Sequence, residues 1–425
     1  HYADIARATG VDVDFLTHDE VGALWPFYNT DRLTGAIRHP GDGYVQPADL
    51  TQALATGARN LGARIHRNTT VTAIDHLPSG EWRVRSDHGE IVCEHVVCAT
   101  GSFARQTGAM VGLEIPVMPV EHQYIVTDAH PALTARREQG LPELGILREC
   151  DGSWYLREEA GGFIIGIYEK GAPVCYPDGP GPQSEYELFA EDLDRLQPYL
   201  EACMERVPIF AECGLKRVFN GAIAYTPDGN PIVGPAAGLR NFWLNEGHSF
   251  GITAAGGAGW QLADWIVEGE PGVDMLDLDP RRYGGHCTRD YLVARSMETY
   301  AHVFAIHYPD EERPAGRPLR MSPSHDRLAD MGAVFGTCGG WERASWFAPD
   351  GVDRQDHFSF RRPRWFDHAC AEARHLARHA GILDMSGLAK CRVTGPGAEA
   401  FLNRLVANRL PVSGRIALCH ALTPG

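Results

Sequence analysis

The stretch that most limits the fold is residues 247–259, reading GHSFGITAAGGAG. A short apolar run, Asn241-Phe-Trp-Leu-Asn245, precedes it. After it, residues 260–267 carry apolar side chains at helical spacing. Strand, glycine-rich turn and helix place backbone N–H groups at a helix start, where they can face an anionic or electron-rich ligand. Glycines also let a helix pack tightly on a sheet, because no Cβ stands in the way. The stretch by itself leaves both readings open, and its neighbours decide between them.

Size and charge narrow the choice. A chain of 425 residues holds two or three domains. The net charge of −16 argues against a nucleic-acid partner, since no basic surplus exists to displace counterions from phosphates. The 11 cysteines form no C-x-x-C pairs and fit reduced, mostly buried thiols in a cytosol-like compartment, a bacterial cytoplasm in preference to a mitochondrial matrix. No apolar run approaches membrane-spanning length, so no membrane partner is expected. The chain begins with His1, and residues 1–8 read as a helix already under way, which suggests a piece of a longer polypeptide.

Along the first hundred residues, a short helix at residues 19–25 stops at Pro26, and a turn-rich loop runs His39-Pro-Gly-Asp-Gly-Tyr-Val-Gln-Pro47. Asp49 is the expected N-cap of a helix over residues 50–61, with Gly62 closing it. Strands are expected at 63–66, 70–74, 81–85 and 90–93. A buried strand over 95–99 ends in Thr100-Gly-Ser-Phe103, suited to the C-terminal edge of a parallel sheet, where ligands bind. No G-x-G-x-x-G follows a strand here, so a pyrophosphate-binding loop is not expected in these residues. Between 116 and 225, strands at 116–127, 162–168 and 216–225, a turn followed by a strand within 150–158, and a helix over 188–204 indicate an antiparallel sheet.

This order of elements, with the segments H-P-G-D-G-Y-V-Q-P, T-V-T-A-I and V-V-C-A-T-G-S-F, resembles the D-amino-acid-oxidase type of flavoprotein. More narrowly it resembles the dimethylglycine dehydrogenase and sarcosine dehydrogenase family. Glu121-His-Gln-Tyr-Ile-Val-Thr127, Asp151-Gly-Ser-Trp-Tyr-Leu-Arg-Glu158 and Thr226-Pro-Asp-Gly-Asn-Pro-Ile-Val-Gly-Pro235 match its recurrent segments. The resemblance implies an α/β and α+β protein: an FAD-binding Rossmann-like domain lacking its first βαβ unit, with an antiparallel substrate sheet, over residues 1–270. A small central linker domain would follow over 271–325, carrying Glu311-Glu-Arg-Pro-Ala-Gly-Arg-Pro-Leu-Arg320. The start of an aminomethyltransferase-like (GcvT) folate domain would occupy 326–425, opened by Trp341-Glu-Arg-Ala-Ser-Trp-Phe347.

For the site, the resemblance implies His122 and Tyr155 above the flavin as substrate-facing residues. Val71 would meet the adenine, Phe103 would line the flavin, and His248, Ser249, Phe250, Gly251, Ile252 and Thr253 would form the wall of the flavin ring. FAD would be covalently linked through a residue outside this sequence, and tetrahydrofolate would bind the complete C-terminal domain. Without that context, a lone histidine in a strand reads as a core residue and a Tyr beside a Trp as packing. The chemistry suits the implied roles. Oxidising an N-methyl amine needs the neutral amine, and a histidine can take the ammonium proton. A substrate carboxylate needs a cation, for which Arg157 and Arg148 are the candidates.

The implied reaction is oxidative N-demethylation of a small N-methylated amino acid, with dimethylglycine favoured. Electrons would leave to an electron-transfer flavoprotein or to oxygen. Sarcosine is the same-class alternative, disfavoured because sarcosine-specific relatives carry H-A-Y where His122-Gln-Tyr124 stands. A non-catalytic regulatory protein similar to the pyruvate dehydrogenase phosphatase regulatory subunit is the alternative from another class. Near the C-terminus, residues 366–380 read as a helix, 390–394 as a strand, and 395–400 open a further helix that runs through Asn408. Gly395-Pro-Gly-Ala-Glu-Ala400 imitates a dinucleotide motif but has Pro396 where flexibility is needed. His375 and His379 have metal-ligand spacing, yet Arg374 and Arg378 adjoin them, so a solvated helix face is expected and no metal.

Overall fold

In a computed structural model, residues 2–181, 184–185, 187–355 and 358–421 are described. His1, at the start of the expected first helix, lies outside them. The chain divides into two compact units, one of residues 1–319 with 357–363 and one of 320–356 with 364–425.

The first unit opens with α1 (Tyr2–Thr9), β1 (Asp14–Leu16), α2 (His18–Leu24) and β2 (Ala36–Arg38), the two strands pairing antiparallel. α2 has a complete capping box, Thr17 and Glu20 each bonding the other's backbone N–H. α3 (Pro47–Asn60) starts earlier than Asp49 predicts. Gln46 caps it and Pro47 enters at the first turn, where a missing N–H costs nothing. None of its residues is buried. Residues 63–66, expected as a strand, are irregular. β3 (Val71–His76), β4 (Trp82–Ser86) and β5 (Gly89–Cys93) make an antiparallel meander. Trp82 anchors it, fully buried and donating its indole N–H to Arg240 O at 3.0 Å.

β6 (Val96–Cys98) leads to α4 (Ala104–Ala109). Only Cys98 of β6 is buried, and Val97 is 45% exposed. The expectation of a buried strand fails because β6 has one neighbour among the described residues and forms the edge of its sheet. The next strands build the largest sheet: β7 (Met118–Thr127), β8 (Leu147–Glu149), β9 (Trp154–Glu159), β10 (Gly162–Ile167) and β11 (Leu215–Tyr225), in the order β11-β7-β10-β9-β8. All its pairings are antiparallel, as the run of strands and turns predicts. α5 (Pro131–Glu138) and α6 (Leu193–Arg206) lie between strands. α6 begins later than residue 188 because Asp192 supplies the side-chain cap, on Arg195 N. Trp154, Leu156, Phe163 and Ile165 pack one face of this sheet against Leu196, Cys203 and Phe210.

β12 (Ile232–Pro235) and β13 (Phe242–Glu246) complete the third sheet, β13 running parallel to β6. α7 (Gly251–Glu268) follows, ended by Gly269 in the left-handed conformation. Most of the glycine stretch is therefore helix: only residues 247–250 form the turn, and the helix starts nine residues before the expected Trp260. Glycine lowers helix propensity by about 1 kcal/mol per residue, so this start runs against local preference. α8 (Arg289–Ala301) closes the first unit's regular structure against β7.

The second unit contains α9 (His325–Asp330), the hairpin β14 (Ala333–Cys338) and β15 (Trp341–Phe347), α10 (Phe366–Leu376) and α11 (Ala398–Leu405). Residues 390–394 are not a strand but irregular. His375 and His379 stack at 4.4 Å on an exposed face. Among the described residues no cluster of His, Cys, Asp and Glu suits a metal ion. No helix there is long and apolar enough to cross a membrane.

Candidate active site

The site gathers on the large sheet, where Met118–Thr127 and Gly162–Ile167 lie side by side. Strand alternation sends His122 to one face of β7 and Gln123 to the other. Gln123 is fully buried and clasps Asp192, accepting from its N–H at 2.8 Å and donating to its carbonyl at 3.2 Å. Gln123 thus ties α6 to the sheet and faces away from His122. The H-Q-Y pattern marks a scaffold contact here.

His122 sits in an aromatic cluster. Its ring lies 4.8 Å from Tyr168, which follows β10, and 5.9 Å from Tyr300 on α8. Tyr168 in turn is 6.5 Å from Tyr155, 5.0 Å from Phe304 and 6.3 Å from Phe250 at the start of α7. His122 and Tyr155 are thus joined through Tyr168, and Phe250 brings the glycine turn to the same cluster. Burial pushes the His122 imidazole down to about 4, so it is neutral at pH 7. Burial raises the Tyr155 and Tyr168 phenols, which stay protonated. Tyr155 lies flat against Gly166 of β10, its cross-strand partner: a Cβ built there would meet the ring at 2.2–2.3 Å.

His122 Nδ1 lies 2.9 Å from the Tyr300 hydroxyl. That hydroxyl donates to Glu169 Oε2 at 2.8 Å, and Arg195 Nε donates to Glu169 Oε1 at 2.8 Å. Glu169 is completely buried, and burial pushes its carboxyl up while Arg195 and Tyr300 oppose the rise. Sequence reasoning missed Tyr168, Glu169, Arg195 and Tyr300. Nothing in local spacing reports that residue 300 of a helix folds onto residue 122.

The two arginine candidates part here. Arg157 is committed: it pairs with Glu159 at 2.6 Å and lies over the Tyr44 ring at 4.4 Å. Strand periodicity signals this, since residues i and i+2 share a face. Arg148 stands opposite Tyr155 in the ladder, with its guanidinium 4.8 Å from the centre of the Phe304 ring. Among the described residues no carboxylate pairs with it. Of the remaining expected residues, Val71 opens β3 and Phe103 precedes α4. Among the described residues no hydrogen bond or ring contact joins either to the His122 cluster.

The glycine turn is held from below. Glu246, the last residue of β13, is buried and accepts from Thr100 N at 2.6 Å, Thr100 Oγ1 at 2.9 Å, Gly101 N at 2.7 Å and Cys98 Sγ at 3.0 Å. Beside this carboxylate, burial pushes the Cys98 thiol up to about 12. His248 Nε2 donates to Asn245 Oδ1 at 2.6 Å, while its buried Nδ1 has no partner among the described residues. Ser249 Oγ donates to Gly229 O at 3.2 Å, fixing the turn to the T-P-D-G loop. Thr299 of α8 holds that loop by donating to Pro227 O at 2.8 Å. Beyond the turn, α7 starts on Phe250 without a side-chain cap, so its first N–H groups remain available. Gly101, Gly256, Gly257 and Gly259 each look onto open space within 4 Å of an added Cβ. Uncapped N–H groups, glycines facing free space, exposed Phe250 and Ile252, and the orphaned His248 nitrogen fit a flat, electron-rich cofactor against this helix start.

Comparison with known proteins decides the family. Residues 1–265 match the model described as FAD dependent oxidoreductase. The chain belongs to that family. Residues 268–322 match the FAD dependent oxidoreductase central domain, and 324–424 match the GCVT N-terminal domain. The chain is 38% identical over 411 residues to the mitochondrial dimethylglycine dehydrogenase of Rattus norvegicus, covering 96% of this chain and 48% of that protein. It is 34% identical over 405 residues to the formaldehyde-forming 4-methylaminobutanoate oxidase of Paenarthrobacter nicotinovorans, covering 93% and 47%. The chain therefore spans about half the length of the curated relatives it matches. The crystal structure of L-proline dehydrogenase from P.horikoshii superposes with a TM-score of 0.55 at 25% identity, over 66% of this chain and 71% of that one. The combination of an α/β flavin domain, an antiparallel sheet and a GcvT start is the one the sequence resemblance implies. Tyr300 belongs to the central-domain segment, which therefore reaches into the His122 cluster.

Proposed function

We propose that the protein carries out FAD-dependent oxidative N-demethylation of a small N-methylated amino acid, with dimethylglycine as the favoured substrate. The observation that carries this reading is a neutral histidine and a protonated tyrosine brought together on the sheet, next to an uncapped glycine-rich helix start. When bound, FAD supplies the two-electron oxidation of the substrate's N-methyl C–H bond.

The chain's residues prepare the substrate. An ammonium has no lone pair to assist C–H cleavage, so it must first lose a proton. His122, kept neutral by burial, accepts that proton. The Tyr155 hydroxyl orients the amine, and its ring is set by contact with Gly166. Arg148 offers its guanidinium to the substrate carboxylate, while Arg157 is already paired with Glu159. Uncapped N–H groups of α7 would hold the cofactor ring and favour negative charge on it. The oxidised substrate, an iminium, is hydrolysed to formaldehyde or gives its carbon to tetrahydrofolate in the GcvT-like domain. The electrons would leave to an electron-transfer flavoprotein or to oxygen, in a reducing cytoplasm.

The test is anaerobic mixing of the holoprotein, expressed from the complete gene, with dimethylglycine, sarcosine and glycine betaine. Flavin bleaching is expected with dimethylglycine, more slowly with sarcosine, and not with betaine, whose quaternary nitrogen has no lone pair. A flavin-loaded protein that bleaches with neither dimethylglycine nor sarcosine is not this enzyme.

A further inference from the structure

The His122 ring has two nitrogens, and its use as a base requires that the correct one carry the hydrogen. We propose that Tyr300 and Glu169 act as a positioning pair that holds the hydrogen on His122 Nδ1, leaving Nε2 with the lone pair that takes the substrate's proton. This rests on the demethylation reading above.

The argument follows from counting hydrogens. A phenol has one hydrogen to donate. The Tyr300 hydroxyl has two acceptors in reach, Glu169 Oε2 at 2.8 Å and Ile167 O at 3.1 Å. The carboxylate is nearer and charge-assisted, so it takes the hydrogen. Arg195 holds Glu169 in place by donating to its other oxygen at 2.8 Å, and Arg195 also pairs with Glu121 at 3.3 Å. Tyr300 can then meet His122 Nδ1, 2.9 Å away, only as an acceptor. Nδ1 must therefore be N–H, and the neutral ring's lone pair lies on Nε2, which has no hydrogen-bond partner among the described residues. In the proton-transfer step the substrate N–H bond breaks and an Nε2–H bond forms. The Nδ1 hydrogen stays where it is, and the Glu169 charge behind Tyr300 steadies the imidazolium.

Neither residue touches the substrate in this scheme, so their loss should change turnover more than substrate affinity. The experiment uses holoprotein from the complete gene, labelled with 15N-histidine, the His122 signal being assigned by its absence from His122→Ala. Wild type should show the Nδ1–H tautomer, and Tyr300→Phe the opposite tautomer or a mixture. For dimethylglycine, Tyr300→Phe should lower kcat about ten- to a hundredfold with KM within about twofold, at or below the lower end of a full general-base contribution because the base itself remains. Glu169→Gln keeps an acceptor for the phenol but removes the charge, and should show a smaller loss with the same split. If Tyr300→Phe fails to fold, Glu169→Gln carries the test alone. An unchanged tautomer and unchanged kcat in a folded variant overturn the proposal. Failure of wild type to reduce its flavin with any methylamine would overturn the demethylation reading, while the tautomer measurement would still decide the pairing.

Discussion

Gly166 offers the sharpest probe of the candidate site, because one added methyl group acts on one neighbour. In Gly166→Ala the new Cβ would lie 2.2 Å from Tyr155 Cζ and 2.3 Å from both Cε1 and the hydroxyl oxygen. Carbon atoms rest at about 3.5 Å or more, so the ring must retreat by at least about 1.3 Å. The ring is the end of a flexible side chain and can swing, so the fold survives with a loss of about 1–3 kcal/mol, the usual cost of overpacking. Catalysis is less forgiving: a displacement of about 1 Å at a positioning group costs on the order of a hundredfold. The expected result is a flavin-loaded variant whose kcat/KM for dimethylglycine is about a hundredfold down, measured by stopped-flow flavin reduction. If the alanine acts only through Tyr155, Gly166→Ala in a Tyr155→Ala background should cost almost nothing further, a non-additivity that a double-mutant cycle reads directly. A folded Gly166→Ala variant within about threefold of wild type would refute the placement of Tyr155, and full additivity would refute the route.

Other outcomes are expected. Arg148→Met should raise KM about ten- to a hundredfold with little change in kcat, the range of a charge-assisted hydrogen bond, whereas Arg157→Met should leave KM unaltered; steady-state kinetics on the two variants separates them. His122 holds its proton more weakly folded, at about 4, than in the unfolded chain, where the ordinary value is 6.5. The unfolded state therefore binds more protons between these values, and the stability His122 contributes above 6.5 is lost as pH falls towards 4. Urea midpoints of His122→Asn should fall less steeply than those of wild type across that window. Glu246→Gln should destabilise by about 1–3 kcal/mol, since the amide cannot accept from all four donors, and urea unfolding at pH 7 measures the loss.

The strands were largely legible, because alternation and turn residues are local signals: Trp82–Ser86, Gly162–Ile167 and Leu215–Tyr225 lie within a residue of their expected bounds. The glycine turn misled in one respect. Low helix propensity argued for a longer loop, yet residues 251–259 are helical, so packing and chain direction outweighed intrinsic preference there. Val97 departs for another reason: an apolar strand implies burial only when elements cover both faces and both edges. Within the site, His122 and Tyr155 came from a resemblance, since a strand histidine has no distinguishing pattern. The Tyr300 contact spans 178 residues and appears only when α8 docks on β7. Arg157 was legible in its own strand, through Glu159 two residues on.

Glu246 has a consequence for how such a site can change over time. One carboxylate fastens the exits of β6 and β13 together, and it does so directly beneath the glycine turn. The turn and Thr100-Gly101 therefore form one rigid floor, made without any residue of the large sheet. His122, Tyr155 and Arg148 all project from that sheet, which is a separate roof. Floor and roof are coupled through aromatic contacts such as Tyr168 with Phe250, which tolerate exchange better than a four-donor carboxylate does. On the proposed function, substitution in the roof would shift substrate preference while the floor keeps its shape, so one scaffold would serve amines of different length and charge.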